Sequence, residues 1–349
     1  MHRIVKRVLI GTALFIGTTA AGAGLWWHQL DLAAQSLPDP ATVPAALPFA
    51  VDVPPTRGRI LAVVTSTARM GEAINAGYEL TELARAYYVF RANGYAVEVA
   101  SPKGGRPPVN IDEELTEADY AFLNDREAQQ LVGATAKLGE VDPASYDAVY
   151  FVGGKGAMVD FGRNPDAQAL AAAVYEAGGV VGAVCHGPAA LVGARLADGS
   201  PLLAGRKVAG FSNEEELFII PKAREIFPFL LEDALRREAG EYSEVPKYLD
   251  HTVVDGRIVT GQNPWSTWSV AEGMVRALGH EPVARPVTNE EKAVAMLDVY
   301  HAKGFEAART FREGLSDIDR RLVLIHSMIA LMDGRLGDAF RLQRLAHPK

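Results

Sequence analysis

This chain has very little cysteine: Cys185 is the only one in 349 residues. A single cysteine excludes an intrachain disulfide and a zinc site built from several thiolates. Histidine is scarce as well, with eight in the chain, and no long block of lysine and arginine occurs. With a formal net charge of −8, the chain lacks the positive surface that releases counterions from a phosphate backbone. We therefore expect no nucleic acid partner.

The composition is otherwise that of a globular protein, with 48% hydrophobic and 22% charged residues, enough for one large domain and an appendage. The N terminus departs from this pattern. A basic flank at residues 1–7 precedes 20 uncharged residues, 8–27, which end in two tryptophans. Length and flanks predict a transmembrane signal-anchor over residues 8–28, with the basic end in the cytoplasm. The small residues 21–23 also fit a signal-peptide cleavage site, which is the alternative.

This segment predicts where the rest of the chain lies. In a bacterium, an uncleaved anchor holds the chain in the inner membrane, with the catalytic domain in the periplasm or another extracytoplasmic space. A cleaved segment instead releases the chain as a secreted protein. Six prolines alternate with small residues between Ser36 and Thr56. We therefore expect residues 29–56 to form a semi-rigid linker that holds the domain off the membrane.

From residue 57 onward, apolar strand patterns alternate with amphipathic helix patterns. The alternating segments are RILAVVTS, ELTELARAYYVFRANG, YAVEVAS, DAVYFVGG, AQALAAAVYEAGG and VVGAVCHGP. Continuous apolar strands separated by helices are typical of a parallel sheet that is covered on both faces. We predict an α/β fold, a parallel-sheet α/β sandwich, over residues 57–284. Near its end, Asp255-Gly256 between two apolar runs predicts a hairpin turn.

The last segment, residues 285–349, is predicted to be a helical extension. Its apolar residues recur at alternating steps of four and three, as a wide helix face does: Ile318, Leu322, Ile325, Ile329 and Met332. KGFEAARTF (303–311) and GRLGDAFRL (334–342) resemble one turn-into-helix unit repeated about thirty residues apart, as in a helical-hairpin repeat. A plain helical tail is the alternative. We assign these helices no chemistry, and a protein partner is one expectation for them.

The stretch VVGAVCHGPAAL, residues 180–191, places the only cysteine directly before a histidine. An apolar run breaks at Cys185 and an Ala/Leu stretch follows, which predicts a strand that turns sharply into a helix. A nucleophile elbow has this form, and the helix N-terminus would favour the thiolate. The alternative is that Cys185 is a small buried hydrophobe.

A thiolate nucleophile needs a proton acceptor and a group that orients it. Among the histidines, only His186 and His251 fall well inside the predicted domain. His186 can lean sideways from the turn toward a carboxylate of the acidic segment at residues 213–216. The alternative for any one of those glutamates is a solvated acid at a helix start.

Two further features suit the same chemistry. Gly153-Gly154 follows an apolar strand, so backbone amides there can approach a substrate oxygen and form an oxyanion hole with the amide of His186. The alternative for Gly153-Gly154 is an ordinary turn with no catalytic role. Glu82 lies in an apolar surround on the first helix, where desolvation would raise its pKa and keep it protonated or poised as a base. The alternative for Glu82 is an exposed surface position.

Together these segments resemble the ThiJ/PfpI superfamily, in the branch of stress-induced chaperones and glutathione-independent glyoxalase III. The resemblance covers about residues 58–280 and is carried by GYELTELARAYYVFRANGYAVEVASPKGGRPPVN, DAVYFVGGKGAMVDF, AVCHGPAALV, AGFSNEEE and GRIVTGQNPWS. It implies the class I glutamine amidotransferase-like, flavodoxin-like fold. It also implies a catalytic set, with Cys185 as the nucleophile together with His186, Glu216 and Glu82. The oxyanion or substrate-binding residues that it implies are Gly153, Gly154, Lys155 and Gly187.

One position departs from the pattern of that superfamily. Where it usually has Gly-Gly-His-Gly, this chain has Gly153-Gly154-Lys155-Gly156. A lysine does not act as a neutral acid or base unless its pKa falls, so we expect Lys155 to attract an anionic substrate instead. The metal-binding members rely on histidines that this domain lacks, so no metal is expected.

The resemblance implies a glyoxalase III type lyase that needs no cofactor and converts methylglyoxal-like 2-oxoaldehydes to 2-hydroxy acids. Cys185 would form a hemithioacetal, and Glu82 with His186 would move the proton. Members commonly dimerise, so a homodimer is one expectation. The alternatives are a Cys-dependent amidase, peptidase or deglycase, and a membrane-tethered redox sensor or chaperone that uses Cys185 oxidation. An amidotransferase normally has a late His-x-Glu pair, which does not occur in this chain.

Overall fold

The computed structural model describes residues 32, 35–51, 53–71 and 74–347. The predicted signal-anchor lies outside the described residues. Within the described residues, no helix is long and apolar enough to cross a membrane. The chain divides into two compact units, Pro38–Pro286 and a second unit of Val287–Lys349 with Met1–Leu37.

The unit Pro38–Pro286 is built on a seven-stranded sheet. Its strands in chain order are β1 Gly58–Val63, β2 Tyr95–Ser101, β3 Ala136–Lys137, β4 Ala148–Phe151, β5 Val180–Val184, β6 Thr252–Asp255 and β7 Ile258–Gly261. They lie in the order β6-β7-β5-β4-β1-β2-β3. Neighbouring strands of this sheet are parallel except β6 and β7, which form an antiparallel pair. This confirms the predicted α/β class with a mostly parallel sheet.

The helices of this unit are α1 Leu80–Ala92, α2 Glu117–Asn124, α3 Arg126–Gly133, α4 Ala157–Asp160, α5 Pro165–Glu176, α6 Asn213–Ile219, α7 Ala223–Ile226, α8 Leu231–Glu238 and α9 Thr267–Ala277. Single 3-10 turns occupy Pro44–Ala46, Leu138–Glu140, Pro143–Ser145, Gly187–Ala190 and Pro264–Ser266. Three two-stranded pairs complete it: Arg69–Met70 with Ile74–Asn75, Tyr78–Glu79 with Val109–Asn110, and Lys207–Val208 with Glu241–Tyr242.

The central strands β4 and β5 are buried along their whole length, which explains their continuous apolar sequences. Gly182 lets α9 pack closely on β5, because a Cβ at that position would lie 2.1 Å from the Met274 sulfur and would force that side chain to shift. The predicted hairpin turn is also confirmed. Asp255 pairs with Ile258 across the turn, and Gly256 has a φ of +59°.

The three adjacent strands β4, β5 and β1 end at the same edge of the sheet. Their carboxyl ends lead into Gly153 after β4, Cys185 after β5 and Thr65 after β1. In sheets of this kind ligands bind outside the carboxyl ends of the strands. The fold therefore brings the chemically distinctive residues of the sequence to one place.

The second unit contains two helical hairpins, α10 Asn289–Lys303 with α11 Phe305–Glu313 and α12 Arg320–Met332 with α13 Leu336–Ala346. Glycines with positive φ, Gly304 at +84° and Gly334 at +74°, lie in the two turns. The similarity of 303–311 and 334–342 thus corresponds to the second helix of each hairpin.

The predicted apolar face of this region is only partly right. Ile318, Leu322 and Ile329 are buried, but Ile325 and Met332 are exposed. The buried side of α12 also carries Val323, His326 and Ala330, which the predicted face did not include. Because α12 is apolar nearly all round, the spacing of its apolar residues does not identify the buried side.

A buried ion pair joins α1 to α2. Arg85 and Asp119 have no exposed side-chain surface, and the Arg85 Nη2 lies 3.2 Å from Asp119 Oδ2. The same oxygen accepts hydrogen bonds from the backbone N–H and hydroxyl of Thr116, at 2.7 and 2.8 Å. Asp119→Ala is therefore expected to lower the free energy of unfolding by about 3–5 kcal/mol, because it leaves a buried guanidinium charge.

Urea unfolding measures this loss. The matched control is Glu127→Ala on α3, which removes an ion pair to Arg91 from a glutamate with 65% side-chain exposure. That change should cost less than about 1 kcal/mol. Similar losses in the two variants would contradict the assignment of the Arg85–Asp119 pair as a buried structural contact.

Candidate active site

Cys185 lies at a strained turn between β5 and a short 3-10 turn. Its φ is +58°, in the left-handed region that non-glycine residues rarely adopt. Hydrogen bonds on both sides hold it there: its N–H donates to Gly261 O at 3.0 Å and its carbonyl accepts from Phe211 N–H at 2.9 Å. Position 187 requires glycine, since a Cβ there would lie 2.1 Å from the backbone oxygen of Phe151. This is the local geometry of a nucleophile elbow.

The prediction of a helix directly after the elbow is wrong. Only the 3-10 turn Gly187–Ala190 follows. Such a short turn offers little aligned dipole. Accordingly, the expectation of a stabilised thiolate is also wrong. Burial raises the pKa of the Cys185 thiol well above its usual range, the nearby Glu82 carboxyl raises it further, and the N–H of Gly154 opposes both.

His186 connects the thiol to Glu216. Its Nδ1 lies 3.4 Å from the Cys185 sulfur and its Nε2 lies 2.6 Å from Glu216 Oε2. A carboxylate accepts, so the proton of the neutral ring belongs on Nε2 and the Nδ1 lone pair faces the thiol. The ring of Phe211 lies 4.5 Å from the imidazole and helps to exclude water. The structure thus places His186 and Glu216 in the relation that the sequence predicted.

The segment that carries Glu216 is fixed by its neighbours. Ser212 begins α6 with a capping box, in which its hydroxyl and Glu215 satisfy each other's backbone N–H groups. Glu215 is buried and accepts hydrogen bonds from Tyr248 N–H, Asn263 Nδ2 and Gln262 Nε2 at 2.8–3.0 Å. Of the two adjacent glutamates, one therefore holds the loops together and the other points at His186.

Glu82 enters the site from the first turns of α1. Its side chain is fully buried, and its Oε2 accepts the Gly153 N–H at 2.6 Å. Within the described part of the chain, its other oxygen, Oε1, has no hydrogen-bond partner. Burial raises the pKa of Glu82 well above its usual range, and the charge of Glu79 adds to the effect. Its exposed-surface alternative is thus excluded.

The two glycines after β4 allow the close packing of this site. A Cβ at Gly153 would lie 2.6 Å from Glu82 Oε2 and 2.9 Å from Cys185 Cβ, so both side chains converge on that point. Gly154 has a φ of +98°, and a Cβ there would lie 2.2 Å from Gly77 O. Both positions require glycine. The Gly153 N–H is taken by Glu82 Oε2 at 2.6 Å, which leaves the Gly154 N–H as the glycine amide beside the sulfur.

Lys155 lies beside the site, with 15% of its side chain exposed. Its ammonium forms an ion pair with Asp112. Burial lowers the pKa of Lys155, but the hydrogen bond and charge of Asp112 outweigh burial and raise it above its ordinary value. Lys155 is therefore positively charged, and the negative charge of Asp112 partly offsets it. His251 lies apart from this set and contacts Ser243 Oγ at 2.7 Å.

The sequence analysis missed Glu79, which precedes α1. Its carboxyl is buried and accepts the Asp112 N–H at 3.2 Å. Burial, followed by the charge of Asp112, raises its pKa from 4.5 to about 7. The signal available in the sequence was its position three residues before Glu82, which places both carboxyls on one side of a helix start.

Glu79 should make stability depend on pH. An acid whose pKa is raised on folding contributes stability that is complete below its unfolded pKa and lost as pH rises through the folded pKa. Between pH 5 and pH 8, the advantage of Glu79→Gln over the wild type should grow by about 2–3 kcal/mol, from a shift of roughly two units over that range. Urea unfolding at several pH values measures it.

The control for this series is Glu140→Gln, because Glu140 has 73% side-chain exposure. Its stability relative to wild type should be the same at every pH. A Glu79→Gln curve that runs parallel to wild type from pH 5 to pH 8 would contradict the buried, protonated carboxyl.

No group of three or more His, Cys, Asp and Glu residues among those described is arranged to hold a metal ion. The arrangement can instead perform covalent chemistry. A thiol faces the lone pair of an imidazole, and a carboxyl with a raised pKa lies on the other side. Backbone amides lie between them. These are the parts of a cysteine-dependent acid–base site.

Comparison with known proteins places this arrangement in context. Residues 73–277 match the DJ-1/PfpI family. Glyoxalase 3 of Candida albicans is 32% identical over 215 residues, which cover 58% of this chain and 89% of that protein. The glutathione-independent glyoxalase HSP31 of Saccharomyces cerevisiae is 30% identical over 218 residues, with the same two coverages. The family match ends before the helical unit begins.

Solved structures agree with the sequence comparison. The crystal structure of glyoxalase III from Candida albicans superposes with a TM-score of 0.56 at 29% identity, covering 63% of this chain and 97% of that chain. The similarity therefore includes nearly the whole of that protein.

Proposed function

Because this chain belongs to the DJ-1/PfpI family, and because its buried thiol lies between an imidazole and a carboxyl, we propose that it is a glutathione-independent glyoxalase. The proposed reaction adds water to a 2-oxoaldehyde and gives a 2-hydroxy acid, as in methylglyoxal to lactate, and makes the enzyme a lyase of the glyoxalase III type. The observation that carries the proposal is the convergence of Glu82 and Cys185 at Gly153.

The first step is addition of Cys185 to the aldehyde carbon. As the sulfur–carbon bond forms, the thiol proton passes to His186 Nδ1, which lies 3.4 Å away. Glu216 stabilises the imidazolium that results, because its carboxylate already accepts from Nε2 at 2.6 Å. The carbonyl oxygen takes up the proton from His186, and a hemithioacetal is formed. The backbone N–H groups at Gly154 and His186 stabilise the negative oxygen.

The second step moves a proton between the two substrate carbons. The Glu82 carboxylate removes the C1 hydrogen of the hemithioacetal, giving an enediol, and returns the proton to C2. His186 transfers the hydroxyl proton from the C1 oxygen to the C2 oxygen. The product is a thioester of the 2-hydroxy acid. A raised pKa makes Glu82 a stronger base than an ordinary carboxylate, which suits removal of a carbon-bound proton.

The third step is hydrolysis of the thioester. Water attacks the C1 carbonyl and gives a proton to His186, the same amides stabilise the oxyanion, and the sulfur leaves as a thiol with that proton. The free thiol is restored. Atoms balance over the cycle, since one water is consumed and no electron is transferred to or from the protein.

The test of this function is methylglyoxal consumption by the purified full chain without glutathione, with lactate measured as the product. Stoichiometric lactate formation supports the proposal. Absence of consumption would overturn it. Cysteine-dependent release of ammonia from glutamine, or of amine from a glycated peptide, would favour the amidase or deglycase alternatives.

A redox sensor is the weaker alternative at this site. Oxidation of cysteine proceeds through the thiolate and requires access. Cys185 has 4% exposure, and burial raises the pKa of its thiol. Both properties slow reaction with peroxide.

We also propose that residues 8–28 anchor the chain in a bacterial inner membrane with the α/β unit on the extracytoplasmic side. The support is the sequence: 20 uncharged residues after a basic flank. Membrane fractionation of the full chain tests it, with retention after alkaline carbonate washing as the expected result. Recovery of the protein in the soluble fraction with Met1 intact would overturn it.

A further inference from the structure

The outer face of the hairpin formed by α12 and α13 is unusually apolar. Six side chains on it are 45–67% exposed: Ile325, Met328, Leu331, Met332, Leu336 and Phe340. These are six of the eighteen exposed large apolar side chains of the described residues, and they fall within sixteen positions of the sequence. Scattered single apolar residues are normal on a surface, but a cluster marks an interaction site. We call these six residues the apolar hairpin face.

The polarity of α12 is the reverse of that of an ordinary surface helix. From Leu322 to Met332 its only polar residues are His326 and Ser327, and both are buried. The Ser327 hydroxyl donates to Ala339 O on α13 at 2.9 Å. Ser327 therefore faces the hairpin partner and the His326 ring lies 6.1 Å from that of His301 on α10, while apolar side chains face outward. A helix that is apolar nearly all round is stable only where its outer side is also covered.

The face is bordered by positive charge. Between residues 320 and 347 there are five arginines and two aspartates, although the whole chain has a net charge of −8. Arg335, in the turn between Met332 and Leu336, pairs with Asp333 and Asp338, and Arg341, next to Phe340, also pairs with Asp338. Five arginines against two aspartates leave the hairpin a formal excess of three positive charges after these pairs. Apolar side chains bordered by arginine are typical of a helix that lies in the interface of a bilayer containing anionic lipid. A second copy of the chain fits less well, since it would bring two positive faces together.

The chain itself holds this hairpin near the predicted anchor. Gln35 Oε1 accepts the Arg320 N–H at 3.1 Å, and Gln35 Nε2 donates to Asp319 Oδ1 at 3.3 Å. Even fully extended, the eight residues after Trp27 reach at most about 28 Å. The first turn of α12 is thus confined to within about 28 Å of the end of residues 8–27, and α12 is itself about 20 Å long.

We propose that the apolar hairpin face docks on the surface of an anionic phospholipid bilayer, with its six side chains buried just below the headgroups. This surface is a second membrane contact, beside the proposed anchor. It would fix the orientation of the helical unit on the membrane, which a single anchoring segment does not do by itself.

The test uses the full chain in vesicles of phosphatidylglycerol and phosphatidylethanolamine. In a Cys185→Ala background, Met332→Cys and Val254→Cys are each labelled with a nitroxide, and collisions with oxygen and with a water-soluble nickel complex are measured. Val254 is the matched control, because it is similarly exposed but lies on the edge strand β6. The label at 332 should collide with nickel at least about fivefold less often than the label at 254, because an interfacial helix buries its apolar face below the headgroups.

Two further measurements test the proposal. Replacing phosphatidylglycerol by phosphatidylcholine should reduce the protection at 332, because the arginines then lose their anionic partners. Equal nickel access at the two positions overturns the proposal. Protection that depends on protein concentration and persists without lipid assigns the face to a second copy and overturns it as well. Flotation of the vesicles with wild-type chain reports separately on the anchor.

Discussion

Replacing Cys185 with alanine is expected to lower kcat/KM for methylglyoxal by at least about 10³-fold, because loss of a covalent nucleophile removes every later step of the pathway. The change is small in volume, and the backbone hydrogen bonds to Gly261 and Phe211 do not involve the side chain. The fold should therefore survive. Lactate formation in initial-rate assays measures the loss, and Cys185→Ser should show a similar one, since a hydroxyl is a poorer nucleophile than a thiol.

The single cysteine provides the control. Because Cys185 is the only thiol in the chain, alkylation of the native protein reports on this residue alone. Methylglyoxal should slow alkylation by iodoacetamide, and the alkylated protein should lose activity in proportion to the label. Full turnover by the Cys185→Ala variant, or by fully alkylated protein, would contradict the nucleophilic role.

The α/β class and many of its elements could be predicted from the sequence because they depend on local patterns. The predicted strand at residues 95–101 matches β2, and the Asp255-Gly256 turn lies between β6 and β7. Buried parallel strands need continuous apolar sequence, and a two-residue hairpin needs a residue that tolerates positive φ. The resemblance to the ThiJ/PfpI superfamily is confirmed by the family match over residues 73–277.

The site could be predicted in part. The adjacency of Cys185 and His186 and the acidic segment after Phe211 indicated which groups could meet, and the structure brings them together. The resemblance implied Glu216, but residue spacing alone did not show which of the neighbouring glutamates turns toward His186. That depends on the capping box of Ser212 and on three donors from distant loops that hold Glu215.

Protonation states were the least predictable part. The sequence suggested a thiolate because it predicted a helix after the elbow, whereas the structure has a single 3-10 turn and a carboxyl beside the sulfur. Burial is a property of the whole fold, and it raises the pKa of Cys185, Glu82 and Glu79 together. The Cys185 thiol therefore holds its proton more tightly than an ordinary thiol does. Attack on the substrate then requires that the thiol proton be removed as the sulfur–carbon bond forms. His186 is the group that removes it.

This protonation pattern makes the pH dependence of Glu82 a decisive measurement. Glu82→Gln is expected to lower kcat for methylglyoxal by about 10²- to 10⁴-fold, the usual contribution of a general base. Glutamine keeps an oxygen that accepts the Gly153 N–H, so the local packing should persist. The variant should also be no less stable than wild type at pH 8, because a buried acid with a raised pKa loses stability as pH rises and an amide does not.

The wild-type kcat/KM should rise with pH across a range above that of an ordinary carboxylate, because only the ionised form of Glu82 removes a carbon-bound proton and burial raises its pKa. In Glu82→Gln this acidic limb should disappear, while Glu82→Asp should keep it at a reduced rate. Glu140→Gln, on the exposed 3-10 turn, is the control and should match wild type. A Glu82→Gln variant with wild-type kcat and an unchanged limb would show that another group moves the proton. Glu79, the carboxyl whose charge raises the Glu82 pKa most, would then be the residue to replace.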